Sequence, residues 1–276
     1  RALIRSAPPT RDALGAGFYR FERPEAGVEW TTMPVPANWE THAASRHVFA
    51  HCSLNKDDVV GYYRRQFAVP EDWLRSGRII LQAEGIAASA EVYINETYCG
   101  YHDGGFIPFQ LDVSDAVGVG ENLIAVRVVK TDISTVHDNS GQWMLSGIWR
   151  DVFLFHVPDI HISDLSLETD YDAAEGRASA RVAVRIGGGL ENRSSAEVRC
   201  RVYPRGEVRP VAEARGELVL PVPGRFEVVI ESTSLEPWHP EKPVVYRVES
   251  ELWVDGRLWE TVGEEVGFRR ISAEGT

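Results

Sequence analysis

The most constraining feature of this sequence is an alternation of apolar and polar residues with period two, which recurs along nearly its whole length. Val182, Val184 and Ile186, for example, alternate with Ala183 and Arg185. Successive side chains of a β-strand point to opposite faces, so this pattern predicts strands with one buried face.

Short segments of this kind, separated by turn residues, fill the first half of the chain. They are "GYYRRQFAVP" (61–70), "RIILQAEG" (78–85), "SAEVYINETYCGYH" (89–102), "FIPFQLDV" (106–113), "ENLIAVRVV" (121–129) and residues 151–157. Helical periodicity is scarce, and its best candidate is about one turn in "PEDWLRSG" at 70–77, which begins with Pro and ends with Gly. The pattern predicts an all-β fold of sandwich type.

A break near Pro158 divides the chain into two predicted all-β domains, residues 1–157 and 158–271. The second half contains about seven strand segments over about a hundred residues, which is typical of an immunoglobulin-like sandwich. It lacks the paired cysteines of antibody domains, because Cys200 has no partner in its own half.

Charge and cysteine content exclude several classes of function. The formal net charge is −12, which argues against a nucleic-acid partner. No apolar run approaches the ~20 residues of a membrane span. No secretory signal is evident, which slightly favours the cytoplasm. Since the chain begins with Arg1 rather than Met, a removed leader or N-terminal piece is left open. Cys52, Cys99 and Cys200 fit free thiols better than a disulfide framework, with a Cys52–Cys99 bridge left open.

No catalytic or metal-binding motif is evident in the sequence. It has no glycine-rich phosphate loop, no His-Glu-x-x-His and no Gly-x-Ser-x-Gly elbow. His42, His47 and His51 lie close together, but no acidic ligand accompanies them, so we expect loop histidines rather than a metal site. We therefore expect no metal and no cofactor.

The stretch "QWMLSGIWRDVFLFHV" at 142–157 predicts a structural corner that leads into a strand. Gly147 permits a tight backbone turn. The side chains of Arg150 and Asp151 should point to opposite faces of the strand, so we expect each to bond elsewhere rather than to the other. Near strand ends and prolines, Trp39, Trp149 and Trp238 are expected to pack in a core.

Five segments of the first half occur together in an order that resembles one known family. They are "VPANWE" (35–40), "YYRRQFAVPEDW" (62–73), "HDGGFIPFQLDV" (102–113), "GENLIAVRV" (120–128) and "SGIWRDVFL" (146–154). This order is similar to the N-terminal sugar-binding domain of glycoside hydrolase family 2, which includes β-galactosidases, β-glucuronidases and β-mannosidases. "EPWHPEKPVVYRVESEL" (236–252) and "VGFRRI" (266–271) resemble the immunoglobulin-like second domain of that family.

The resemblance implies a galactose-binding-like jelly roll followed by an immunoglobulin-like sandwich. Family members carry both catalytic glutamates on a third domain, a (β/α)₈ barrel, and are retaining glycosidases. The barrel motif is not found in this sequence, so we expect a non-catalytic part of a β-galactosidase-like enzyme that is inactive alone. Residues 272–276 would begin the linker to the missing catalytic barrel.

The resemblance also implies which residues border the substrate pocket. The loop before "SGIWRD" lies near the barrel mouth in the family, so the candidates for the pocket rim are Asp138, Asn139, Gln142 and Trp143. The structural motif comprises Trp39, Gly147, Ile148, Trp149, Arg150 and Asp151.

Two departures from the family pattern argue against β-galactosidase specificity. The aspartate that many β-galactosidases place two residues before the tryptophan is replaced here by Gly141, and the earlier loop "RHVFAHCSL" has no asparagine before Asn55.

The expected partners follow from the resemblance: a β-glycoside substrate and a catalytic barrel in cis. A homo-oligomer is left open. The alternative functions are a stand-alone carbohydrate-binding protein and a purely structural or adhesive pair of sandwiches.

Overall fold

The computed structural model describes residues 2–7, 18–20, 30–41, 60–131, 135, 145–219 and 225–272. For residues 2–7, 218–219 and 225 it describes the backbone alone. The chain divides into two compact units, Arg1–Val157 and Pro158–Thr276. Both units are built from antiparallel strands, so the predicted all-β class is confirmed.

The first unit is the jelly-roll sandwich. Its described strands are β1 (Ala2–Ala7), β2 (Thr31–Met33), β3 (Val60–Val69), β4 (Arg78–Ala83), β5 (Ile86–Ala87), β6 (Ser89–Ile94), β7 (Thr97–Asp103), β8 (Phe109–Asp112), β9 (Gly120–Val129), β10 (Gly147–Ile148) and β11 (Val152–Val157). They form a six-stranded sheet in the order β2-β1-β3-β9-β6-β7, a three-stranded sheet β11-β4-β8 and the short pair β10-β5.

The period-two alternation of the first unit produces its core. Val92 and Val126 are register partners on β6 and β9, and both are buried. They pack in one apolar cluster with Leu81 of β4, which belongs to the three-stranded sheet. The apolar faces of the two sheets thus meet in a single core.

Two local features refine the sequence-based predictions for this unit. The segment 89–102, which reads as one alternating strand, is a hairpin: Asn95 and Glu96 have φ angles of 49° and 69° and connect β6 to β7. Positive φ at both central residues is the geometry of a tight hairpin turn, for which asparagine is well suited. The helical candidate at 70–77 is a single 3₁₀ turn, Glu71–Leu74.

The second unit is an immunoglobulin-like sandwich. Its described strands are β12 (Ile160–Asp172), β13 (Arg177–Gly188), β14 (Ser195–Pro204), β15 (Ala212–Val219), β16 (Arg225–Ser232), β17 (Tyr246–Val254) and β18 (Arg257–Val266). They form the sheets β12-β13-β16 and β15-β14-β17-β18. Val182 and Val184 of β13 pack with Val198 of β14 and Leu252 of β17 in one core cluster.

Cys99 and Cys200 are free thiols, as favoured from the sequence, whereas Cys52 lies outside the described residues. Cys200 is buried beside the Ser250 hydroxyl in the second unit. Burial raises the pKa of the Cys200 thiol, so the neutral form is favoured there.

The two-unit organisation predicts where proteases act first. Limited digestion of the 276-residue chain with a nonspecific protease should cleave at 158–159 or in the connection 189–194, because these residues lie outside the strands, whose backbones are held in hydrogen-bonded ladders. Mass spectrometry of the early fragments checks this. Cleavage within 121–129, the body of β9, ahead of those sites would contradict the strand and domain boundaries.

Candidate functional site

The residues Ser146–Asp151, here called the corner, lie between the segment 37–39 and strand β5. The Ala37 N–H donates to the Ile148 carbonyl at 2.9 Å, and the Trp39 N–H donates to the Ser146 carbonyl at 3.1 Å. On the other side, Gly147 and Ile148 pair with Ala87 and Ile86. The corner is thus held by backbone hydrogen bonds to parts of the sequence far from it.

Gly147 is required at this place by both its backbone angle and its surroundings. Its φ is 117°, and a Cβ added to it would lie 2.8 Å from the Tyr63 hydroxyl and 3.0 Å from the Ala37 carbonyl. Those distances leave no room for a side chain.

The Tyr63 hydroxyl serves as a buried acceptor for the corner. It accepts a hydrogen bond from the Ile148 N–H at 3.3 Å. Burial raises the pKa of Tyr63 far above its ordinary value, against the lowering effect of that N–H, and the nearby Glu40 carboxylate raises the pKa further. Tyr63 therefore remains a neutral phenol and holds the corner as a structural group.

Glu40 is a buried carboxylate that bonds both sides of the segment 131–145. One oxygen lies 2.8 Å from the Lys130 ammonium, directly after β9, and the other accepts the Ser146 N–H at 2.9 Å. The side chains of Glu40 and Lys130 are only 1% and 9% exposed. A charge buried this deeply is tolerated because it is paired and hydrogen-bonded.

Trp149 and Arg150 connect the corner to the loop 104–108. The Trp149 indole N–H donates to the Gly105 carbonyl at 2.9 Å, and the Arg150 guanidinium stacks on the Trp149 ring at 4.1 Å. Arg150 also donates to the carbonyls of Glu84 and Phe106, each at 3.4 Å. These contacts fix the loop against the corner.

The structure brings the six residues of the predicted structural motif to this one place. Trp39, Gly147 and Ile148 are buried, Trp149 and Arg150 are half-buried, and Asp151 is exposed. Asp151 helps to hold the corner through its backbone, because its carbonyl accepts a hydrogen bond from the Glu84 N–H at 2.9 Å. Within the described part of the chain, Arg150 and Asp151 form no ion pair with each other.

The four pocket-rim candidates, Asp138, Asn139, Gln142 and Trp143, lie outside the described residues, so their role stays a prediction. His42, His47 and His51 also lie outside them. Among the residues that the structure describes, no group of three or more His, Cys, Asp or Glu side chains is placed to hold a metal ion. The described helices are all too short or too polar to cross a membrane.

Sequence reasoning missed three residues that matter at the corner: Glu40, Tyr63 and Lys130. Glu40 ends the quoted motif "VPANWE", and Lys130 is the first charged residue after the apolar end of β9. A lone lysine directly after a buried strand is a signal that could have drawn attention to it. Nothing in the local sequence identifies its partner 90 positions away.

Replacing Gly147 tests whether the corner is as tightly packed as these distances indicate. Gly147→Ala should lower the free energy of unfolding more than Gly206→Ala by about 1–3 kcal/mol, the usual effect of overpacking. Both glycines have positive φ, but an added Cβ at Gly206 meets nothing within 4 Å. Urea denaturation of the two variants measures the difference, and equal losses would show that the corner has room for a methyl group.

Comparisons with known proteins identify one family for both units of the chain. The family model for the sugar binding domain of glycosyl hydrolases family 2 matches residues 22–158, and a second model described as glycosyl hydrolases family 2 matches residues 160–269. The chain is 27% identical to a β-galactosidase of Enterobacter cloacae over an alignment of 301 positions. That alignment covers 97% of this chain and 29% of the β-galactosidase. A β-galactosidase of Oenococcus oeni is 25% identical over 256 residues, covering 87% of this chain and 24% of its own.

Solved structures share the fold at lower identity. A family 2 member from Bacteroides cellulosilyticus superposes with a TM-score of 0.76 at 21% identity, covering 98% of this chain and 36% of that one. A Bifidobacterium dentium β-glucuronidase, complexed with coumarin-3-O-glucuronide, gives a TM-score of 0.73 at 22% identity over 100% of this chain and 48% of its own. The chain spans less than a third of the curated relatives named above. Since the two family models follow one another along most of its sequence, the chain belongs to glycosyl hydrolase family 2.

Proposed function

We propose that this chain is the non-catalytic N-terminal part of a retaining family 2 glycoside hydrolase. In this function the two sandwiches support a catalytic barrel in cis and border its substrate pocket, and the substrate is a β-glycoside. The observation that carries the proposal is the match of two consecutive family models, at 22–158 and 160–269, to a chain that spans only 29% of a β-galactosidase relative.

The proposed organisation assigns a role to each part of the chain. Residues 1–157 are the sugar-binding jelly roll, residues 158–271 are the immunoglobulin-like domain, and residues 272–276 begin the connection to the barrel. The acid/base and nucleophile carboxylates of a retaining glycosidase lie about 5 Å apart and would both belong to the barrel. The chain contributes position and shape rather than a reacting group.

The pocket rim is the part of the first unit that would touch the sugar. Asp138 and Asn139 carry polar side chains suited to bonding sugar hydroxyls, and Trp143 offers a ring on which a sugar can stack. They lie in the segment 131–145, which the corner follows directly. The corner that follows this segment is held by backbone hydrogen bonds to Ala37, Trp39 and strand β5.

The purified 276-residue chain should not hydrolyse nitrophenyl galactosides, glucuronides or mannosides, because the catalytic carboxylates would lie on the barrel. Release of nitrophenol, measured with a longer family member as positive control, checks this. Turnover that disappears on mutation of an acidic residue of this chain would refute the proposal. Strong binding of the chain to a glycan array would favour the alternative of a stand-alone carbohydrate-binding protein.

The rim assignment predicts that Asp138→Ala lowers kcat/KM in the longer enzyme with an unchanged thermal midpoint. Loss of one hydrogen bond to a sugar hydroxyl costs about 1–3 kcal/mol, which corresponds to roughly 5-fold to 150-fold in kcat/KM. Asp115→Ala, at an exposed turn of the same unit, is the matched control and should change neither quantity. If the Asp138 variant keeps its kcat/KM, the segment is not part of the pocket.

A further inference from the structure

The loop 104–108 presents three consecutive apolar side chains to solvent. Phe106 is 41% exposed, Ile107 is 61% exposed, and the proline that follows them is exposed as well. These three residues, Phe106–Pro108, are here called the apolar tip. Exposed large apolar residues on a soluble protein are usually scattered singly, and an apolar patch marks a surface that another molecule or domain covers.

The backbone beneath the apolar tip is fixed by contacts with the corner. The Trp149 indole N–H donates to the Gly105 carbonyl at 2.9 Å, and the Arg150 guanidinium donates to the Phe106 carbonyl at 3.4 Å. The Phe106 ring also meets the Trp149 ring edge-on, with 5.4 Å between their centroids. A contact surface that is already held in shape loses less conformational entropy when a partner covers it.

The size of the apolar tip favours a partner on the same polypeptide. A stable interface between separate proteins buries about 1,200–2,000 Å² in total, which three partly exposed side chains cannot supply. The nearest exposed residues on either side in sequence, Asp103 and Gln110, are polar, so the tip does not extend along its own chain. A domain joined by a linker acts at an effective concentration of about millimolar, so a small apolar contact is enough to position it.

The partner that the proposed function supplies on the same polypeptide is the catalytic barrel. The alignment with one β-galactosidase relative covers only 29% of that protein, so most of a family member lies outside this chain. The loop belongs to "HDGGFIPFQLDV" and the corner to "SGIWRDVFL", two of the segments by which the chain resembles the family. The structure brings these two segments together at the apolar tip.

We propose that the apolar tip is a docking contact for the catalytic barrel in cis and fits an apolar recess on that domain. This inference rests on the proposed function, which places the barrel and the two sandwiches in one protein. The corner fixes the loop, and the loop presents the apolar tip at the place where the first unit meets the barrel.

Photo-crosslinking in the longer enzyme identifies what covers the apolar tip. A diazirine-bearing amino acid in place of Ile107 is activated by light, and the crosslinked peptides are identified by mass spectrometry. The proposal expects a crosslink within one polypeptide, to a peptide beyond residue 276. The matched control carries the same amino acid in place of Val119, which is 75% exposed in the same unit and should give far less of this product. The absence of this crosslink would overturn the proposal.

A charge placed on the apolar tip tests the same contact through stability. In the 276-residue chain, Ile107→Asp and Val119→Asp should have thermal midpoints within about 2 °C of each other, because both side chains are largely exposed. In the longer enzyme the new carboxylate would be buried, so Ile107→Asp should lower the midpoint of the first unit by about 4 °C or more relative to Val119→Asp. Equal midpoints in the longer enzyme, or an equal fall in the 276-residue chain, would contradict the docking role.

Failure of this inference can be told apart from failure of the proposed function. Mixing isotope-labelled and unlabelled enzyme separates a crosslink within one polypeptide from a crosslink between two copies. A crosslink only between copies, with no turnover by the 276-residue chain, would refute the docking role and leave the proposed function standing. Turnover by the 276-residue chain would refute the proposed function, and this inference with it.

Discussion

The corner of the first unit depends on a buried charge that must be satisfied. Glu40 is almost completely shielded from water, and an ionised carboxylate without partners is very costly in such a place. Its two partners, Lys130 and the Ser146 N–H, therefore have to be within reach whenever the unit is folded. Satisfying the Glu40 carboxylate therefore brings together Glu40, Lys130 and Ser146, which are far apart in the sequence.

Much of the fold could be predicted from the sequence, because the hydrophobic period of a strand is a local property. The alternation of Val182 and Val184 with Arg185 predicts which face of β13 is buried, and the structure confirms it. The hairpin at Asn95–Glu96 was harder to predict, since the alternation runs up to the turn on one side and resumes on the other. There the backbone angles, rather than the hydrophobic pattern, determine where one strand ends.

The corner could be predicted only in part. Gly147 and Trp149 are recognisable because they belong to "SGIWRDVFL", one of the segments that carry the resemblance to the family. Tyr63 and Glu40 are not, because their importance comes from contacts with the corner across 85 and 106 positions. One tyrosine in an alternating strand and one acid among 41 acidic residues carry no local mark of such a partner.

The long separation between Glu40 and Ser146 has a consequence for synthesis on the ribosome. The Glu40 carboxylate, which accepts the hydrogen bond, is synthesised first, and its donor, the Ser146 N–H, is added 106 residues later. At about 5–20 residues per second, this is a delay of roughly 5–20 s. During that interval the Glu40 carboxylate lacks the Ser146 N–H as a partner, and the corner can close only after nearly all of the first unit has been translated.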